Sequence, residues 1–324
     1  LRRISEQVLC LGLDTSAYTT SLALVDQHEN LIYERRIALP VKAGQLGLRQ
    51  SEAVFAHLKN MPLLWAECPV DLKTEYLKAI SVSDRPRPLV GSYMPVFKVC
   101  ESFGQFLAQS TGIDYFSASH QEGHIMAGFW SAAIRGGSYL VVQISGGTTE
   151  LVAAEEQCPG NLRIERVGGT TDLNAGQFVD RIGCRLNLPF PAGFHLEALA
   201  RSADEDLPGL PLAVKGAEIS FSGPASEAER LLERGCSPEN LARAVEVCIA
   251  DSLAAAITRA WEKEMYNGLL VVGGVSANDF IKNRISSFFL KEKVYFAGPR
   301  YAGDNAVGQA VLASRRLRQK TACF

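Results

Sequence analysis

The feature that most constrains this chain is a strand–turn–strand unit that occurs twice. Val8 to Leu13 is an apolar run ending at Asp14-Thr15-Ser16, and Ser21 to Val25 follows as its partner. Leu31 to Leu39 continues the pattern as a third strand. Further on, Tyr139 to Ile144 ends at Ser145-Gly146-Gly147-Thr148, and Thr149 to Ala154 reads as the returning strand. Leu-Asp-Thr-Ser followed by Thr-Thr-Ser-Leu-Ala thus recurs, about 130 residues later, as Ile-Ser-Gly-Gly followed by Thr-Thr-Glu-Leu-Val. A repeated unit of this kind predicts an α/β chain with duplicated lobes, and 324 residues suffice for two lobes of ordinary size.

The longest predicted helix runs from about Pro238 to Met265. Ser237 suits its N-cap and Pro238 its first helical position. Leu241, Ala244, Val245, Cys248, Ile249, Leu253, Ala256, Ile257, Ala260 and Trp261 give it one apolar face. Gly268 to Val272 then reads as a buried strand. It breaks at Gly273-Gly274-Val275-Ser276-Ala277-Asn278, with a helix expected to follow. A strand, a glycine turn and a helix are a common setting for phosphate or ribose contact. Arg85-Pro86-Arg87-Pro88 reads as a rigid loop and Ser202 to Pro211 as a surface connection.

The net charge of -2 gives no global sign of nucleic-acid binding, so any RNA contact must be local or shared with a partner. No apolar run approaches a membrane span, and Leu1 to Ser5 lacks the apolar core of a signal peptide. None of the eight cysteines forms a Cys-x-x-Cys pair, which argues against a cysteine zinc site. Cys10 and Cys248 fall in apolar patterns and are expected in the core, and a cytoplasmic location is expected.

Four constellations could carry chemistry. In His120-Gln121-Glu122-Gly123-His124 a helical spacing of four puts both imidazoles on one face, suited to one metal ion. Alternatively they are polar helix residues. Glu122 stands one position too late for a zincin-type general base, which disfavours such a protease. Asp304 in Gly303-Asp304-Asn305-Ala306 reads either as a helix N-cap or as a carboxylate completing a His-His-Asp site. The glycine turns at Ser145-Gly146-Gly147 and Gly273-Gly274 offer unobstructed backbone N–H groups to a nucleotide. Asp180, between Asn174 and Gly193, could accept ribose hydroxyls or pair with Arg181 or Arg185.

Taken in order, these residues resemble the TsaD family of tRNA threonylcarbamoyladenosine synthases. The likeness runs from Leu13-Asp14-Thr15-Ser16 and His57-Leu58 through His120-Gln121-Glu122-Gly123-His124, Ser145-Gly146-Gly147, Ala175-Gly176 and Asp180. It continues through Pro191-Ala192-Gly193, Ser220-Phe221-Ser222-Gly223, the Gly273–Asn278 turn and Asp304-Asn305-Ala306. The resemblance implies a two-lobed actin-like ATPase fold, with one lobe in 1–118 completed by 300–324 and the other in 119–299. It implies transfer of a threonylcarbamoyl group from threonylcarbamoyl-AMP to a tRNA adenosine.

Carried over, it makes His120, His124 and Asp304 the ligands of one divalent ion, iron or zinc. It assigns Gln143, Ile144, Ser145, Gly146, Gly147, Asp180, Gly193, Glu197 and Asn278 to an adenine nucleotide, whether ATP, AMP or the acyl adenylate. Implied partners are TsaB-like and TsaE-like helper proteins or another TsaD, with tRNA reached through the complex and no membrane. The chain departs from the family pattern near the reacting end. Ala17-Tyr18-Thr19 replaces Cys-Asp-Glu, Thr148 replaces a histidine, Ala225 a lysine, and Asp84 to Pro88 a Gly-Pro-Gly loop. The expectation is a divergent paralogue with slow or absent transfer. The alternatives are a metal- and nucleotide-binding partner without turnover, or a carbamoyltransferase with another acceptor.

Overall fold

The computed structural model describes residues 8–16, 18–41, 48–69 and 76–322. Leu1 to Ser5, Ala17 and Cys323 lie outside them. The first sheet holds β1 (Leu9–Thr15), β2 (Thr19–Asp26), β3 (Leu31–Ala38), β4 (Leu77–Arg85) and β5 (Asp114–Ser119). Its order is β3-β2-β1-β4-β5, antiparallel across β3, β2 and β1 and parallel from β1 to β5. Helices α1 (Gln50–Glu67) and α2 (Phe97–Thr111) pack on it. Then α3 (His120–Ser131) follows β5 directly.

The second sheet contains β6 (Ser138–Ile144), β7 (Thr149–Cys158), β8 (Asn161–Thr170), β9 (Val214–Lys215), β10 (Glu218–Ile219), β11 (Leu269–Val272) and β12 (Val294–Phe296). Its order is β12-β11-β6-β7-β8-β10-β9. Five of these, β8-β7-β6-β11-β12, repeat the order and strand directions of β3-β2-β1-β4-β5. The repeated hairpin is therefore the visible part of a repeated sheet. In the first copy Thr15 pairs with Thr20, in the second Ile144 with Thr149, so both tips are closed by turns of equal length.

The helices of this half are α4 (Ala175–Arg185), α5 (Gly193–Ala200), α6 (Ser222–Glu233), α7 (Pro238–Trp261) and α8 (Asp279–Phe288). The short α9 (Pro299–Ala302) precedes the terminal α10 (Val307–Ala322). Ser237 caps α7 by accepting the Asn240 N–H at 3.2 Å. That helix ends at Trp261, short of the expected Met265. The Lys263 N–H turns back to the Ala260 carbonyl and tightens the last turn. Cys10 and Cys248 are buried in the cores as expected. No helix among the described residues is long and apolar enough to cross a membrane.

Helix α10 lies against β1, β2 and β4 of the first sheet and also against α3. We propose on this packing that residues 300–324 complete the lobe begun by 1–118, with 119–299 as the other. The approach is close because side chains are missing where the backbones meet. A methyl group at Gly308 would overlap the Gly123 carbonyl of α3, and one at Gly12 would overlap the Ala306 carbonyl just before α10 and Ala310 within it. Backbone cannot yield as a flexible side chain can, so Gly308→Ala is expected to cost about 1–3 kcal/mol through overpacking. It should also loosen the site at the heads of α3 and α10. A lowered thermal midpoint together with weaker metal retention would bear this out, and an unchanged midpoint would refute it.

Candidate functional site

Ser119 ends β5 and opens α3. Its Oγ accepts the Glu122 N–H at 3.1 Å, and Glu122 Oε2 accepts the Ser119 N–H at 2.6 Å. This reciprocal cap fixes where the helix begins and gives Glu122 a structural task. His120 is then the first helical residue and His124 stands one turn further on the same face. Their Nε2 atoms lie 3.1 Å apart. Asp304, in the turn before α10, brings Oδ1 to 3.2 Å from His124 Nε2 and 3.5 Å from His120 Nε2. An ion bound tetrahedrally at about 2.0–2.2 Å holds its ligand atoms about 3.3–3.6 Å apart. The three side chains fit such an ion, and they form a cluster able to hold a metal. Asn305, not Asp304, caps α10, since its Oδ1 accepts the Val307 N–H at 2.9 Å.

The triad is braced from behind. His120 Nδ1 donates to Asp14 Oδ1 at 2.8 Å, and Asp14 Oδ1 also accepts from Ser83 Oγ. A carboxylate behind a histidine of this kind fixes the tautomer and ring direction that a metal needs. Asp304 Oδ2 accepts Ser16 Oγ at 2.6 Å, and its backbone carbonyl accepts Arg36 Nη1 at 3.2 Å. His57, buried on α1, donates from Nε2 to the Ser16 carbonyl at 2.8 Å. Its Nδ1 then takes the Thr20 hydroxyl, also at 2.8 Å. Burial lowers the His57 pKa, which keeps that tautomer neutral. Burial also opposes a charge on His120, but Asp14 and Asp304 outweigh it and push its pKa up to about 10. Asp304 is held well below the usual carboxylate range, because the two imidazoles overcome its burial.

A cavity of about 990 Å³ opens beside the triad, between the two sheets, and His120 and Asp304 line it. Gln143, Ser145, Gly146, Gly147, Asp180, Gly193, Glu197 and Asn278 line it as well. Ile144 does not. Its side chain is fully buried in the core of the second half, because neighbouring positions of a strand face opposite ways. Asp180 Oδ1 accepts the Ala192 N–H at 2.8 Å, and burial raises its pKa against that bond. Arg181 and Arg185 pair instead with Glu229 and Glu233, so neither neutralises Asp180. Asn278 caps α8 through Oδ1, accepting the Ile281 N–H at 2.9 Å, and donates Nδ2 to Glu246 at 2.6 Å.

Two neighbours of the site are not assigned to it by the sequence reading above. Tyr18 reaches across the cleft to Phe190, with ring centroids 6.1 Å apart. Glu246 is fully buried under Asn278, and burial pushes its carboxyl up to about 7 although Asn278 and Arg243 favour the anion. A charged residue inside the otherwise apolar run of α7 was the available signal. Of the altered positions, Thr148 lines the cavity, while Ala225 is buried in the core away from it.

The family model described as TsaD, tRNA N6-adenosine threonylcarbamoyltransferase, matches residues 44–311. The chain belongs to the TsaD family. It is 30% identical over 300 residues to a probable bifunctional tRNA threonylcarbamoyladenosine biosynthesis protein of Methanothermobacter thermautotrophicus. That match covers 92% of this chain but 54% of the relative, about half its length. It is also 30% identical over 316 residues to the tRNA N6-adenosine threonylcarbamoyltransferase of Thermus thermophilus, covering 95% and 92%. Among solved structures, T. kodakarensis HypF aligns with a TM-score of 0.62 at 14% identity, over 97% of this chain and 48% of that one. A ROK family glucokinase from Streptomyces griseus, in complex with glucose and AMPPNP, aligns with 0.55 at 13% identity over 96% and 99%. These likenesses place the TsaD-family chain in the two-lobed actin-like ATPase fold.

Loading an ion onto the triad requires His120 to give up its proton, since metal and proton compete for Nε2. With the His120 pKa near 10, the apparent metal affinity should rise about tenfold per pH unit from roughly pH 6 to 9. Calorimetry in buffers of different ionisation heat should find about one proton released per ion at pH 7. Metal binding indifferent to pH would contradict the triad, as would unchanged metal content in a His120→Ala, His124→Ala double variant.

Proposed function

We propose that this chain holds an adenylate in its cleft and, with a divalent ion on His120, His124 and Asp304, transfers a threonylcarbamoyl group to a tRNA adenosine. One observation carries the reading: the triad and the Asp180–Asn278 wall line a single cavity. The names of the Thermus and Methanothermobacter relatives support the choice of acyl group and tRNA. TsaB-like and TsaE-like helpers or another TsaD are the proposed partners in this tRNA modification.

An iron or zinc ion held by the triad would supply Lewis acidity toward the reacting carbamoyl–phosphate anhydride. The protein does the rest by positioning. Asp180 has one oxygen fixed by Ala192 N–H and turns the carboxylate toward the cleft for the ribose hydroxyls. In the Ser145–Gly147 turn the Ser145 N–H goes to the Thr148 carbonyl and the Gly147 N–H to Ser145 Oγ, so among the described residues the Gly146 N–H is the donor left for a phosphate. Gly193 allows close approach, while Gln143, Glu197 and Asn278 shape the nucleoside end. Asp14 already holds His120, and Tyr18 and Thr148 stand in the cleft where the family pattern has an acid and a histidine. Proton removal from the acceptor amine is therefore poorly served, and transfer is slow.

Asp180→Asn keeps an acceptor for Ala192 N–H but removes the charge. It is expected to weaken AMP binding about 10- to 150-fold, the worth of one charge-assisted hydrogen bond. Equal affinity of variant and parent by calorimetry would count against this ribose site. Reconstitution with threonylcarbamoyl-AMP, tRNA and helper proteins should give metal-dependent product about 10²–10⁴-fold more slowly than the Thermus relative, as for a missing general base. A matching rate would make the altered residues harmless. No product, with metal and adenylate bound, would overturn the transferase reading in favour of a binding partner without turnover.

A further inference from the structure

We propose that Arg87 reads the carboxylate of the acyl group carried by the adenylate, a role that rests on the adenylate reading above. Among the described residues that line the cleft, Arg87 is the single guanidinium or ammonium, and the carboxylates there are Asp180, Glu197 and Asp304. A ligand with an anionic acyl end thus has one side chain of opposite permanent charge to meet. The threonylcarbamoyl group has such an end, because carbamoylation consumes the threonine amine and leaves its carboxylate free.

The guanidinium is prepared for this. Pro86 and Pro88 flank Arg87 and fix their own backbone torsions. The Arg87 N–H donates to Ser92 Oγ at 3.0 Å, and the Pro86 carbonyl accepts the Gln121 N–H at 3.0 Å. Gln121 follows His120 directly, so the loop is tied to the metal end of the cleft. Arg87 Nε lies 3.0 and 3.1 Å from the two oxygens of Glu150, which also accepts Gln121 Nε2 at 2.9 Å. These contacts engage Nε and leave both Nη groups without a hydrogen-bond partner among the described residues. Two parallel Nη donors match a carboxylate in a way a point charge does not. Arg85 is excluded from the task, since Asp84 takes its Nη1 at 2.6 and 2.7 Å and it does not line the cavity.

The test compares three ligands by calorimetry: AMP, a non-hydrolysable threonylcarbamoyl-adenylate analogue, and the same analogue with its α-carboxylate converted to carboxamide. The parent should favour the carboxylate over the carboxamide by roughly 10- to 150-fold. Arg87→Gln should abolish that preference while AMP affinity stays within about twofold. Glu150→Gln removes the competing anion and should enlarge the preference. Thermal midpoints check that both variants are folded. A parent indifferent to the amide, or an Arg87→Gln protein that keeps the preference, overturns the proposal and leaves the adenylate reading standing. An equal loss for all three ligands in both variants marks the pair as a strut between the lobes, and this too overturns it. Failure of the parent to bind AMP overturns the adenylate reading and this proposal together.

Discussion

The close crossing of α3 and α10 is the constraint on which the rest depends. The missing side chain of Gly308 lets the α10 backbone lie against the Gly123 carbonyl of α3, and the heads of both helices then point at one place. His120 and His124 come from the first turns of α3, and Asp304 from the turn that leads into α10. Were the helices held apart by even one methyl group, the Nε2 and Oδ1 atoms would leave the separations that a single small ion spans. Dense backbone packing thus sets the separations of the proposed ligand atoms.

Around that crossing lies a polar network that belongs to both halves. Gln309 of α10 accepts Ser81 Oγ at 2.8 Å and donates to Ser83 Oγ and the Ser119 carbonyl at 3.0 and 3.1 Å. Ser83 in turn donates to Asp14, which holds His120. One buried amide therefore links α10, β4, the cap of α3 and the triad. Buried polar groups are costly when unmatched, and here Gln309 is matched on both of its atoms. Such a network specifies one arrangement of the two helices, where an apolar contact would tolerate several.

The altered residues fall into two groups. Ala225 sits in the core, so the change from lysine removes no charge from the cleft of this chain. Tyr18, Thr148 and Arg87 do line the cleft. Tyr18 touches Phe190, and Arg87 reaches Glu150, each joining an element of the first half to one of the second. Where the family pattern has small or acidic groups, this chain places an aromatic contact and an ion pair across the opening. The proposed metal triad is left in place while the approach to it is remodelled.

The sequence by itself determined the duplication, because a hairpin with its turn is local and its period-two pattern survives without knowledge of neighbours. It also determined that His120 and His124 share a face, since helix spacing alone decides that. The capping box Ser119–Glu122 was legible too, in the Ser-x-x-Glu spacing, and would have explained Glu122 at once. The sequence could not decide what Asp304 does, because cap and ligand look alike in a string of letters. Only the fold, by carrying α10 back across the chain to α3, set its Oδ1 beside the imidazoles and gave the cap to Asn305. The inward turn of Ile144 follows from strand alternation fixed by the sheet around it, and the reach of Arg87 from a loop pinned to α3. Such contacts join residues far apart in the chain, and no spacing rule records which distant backbone will come near.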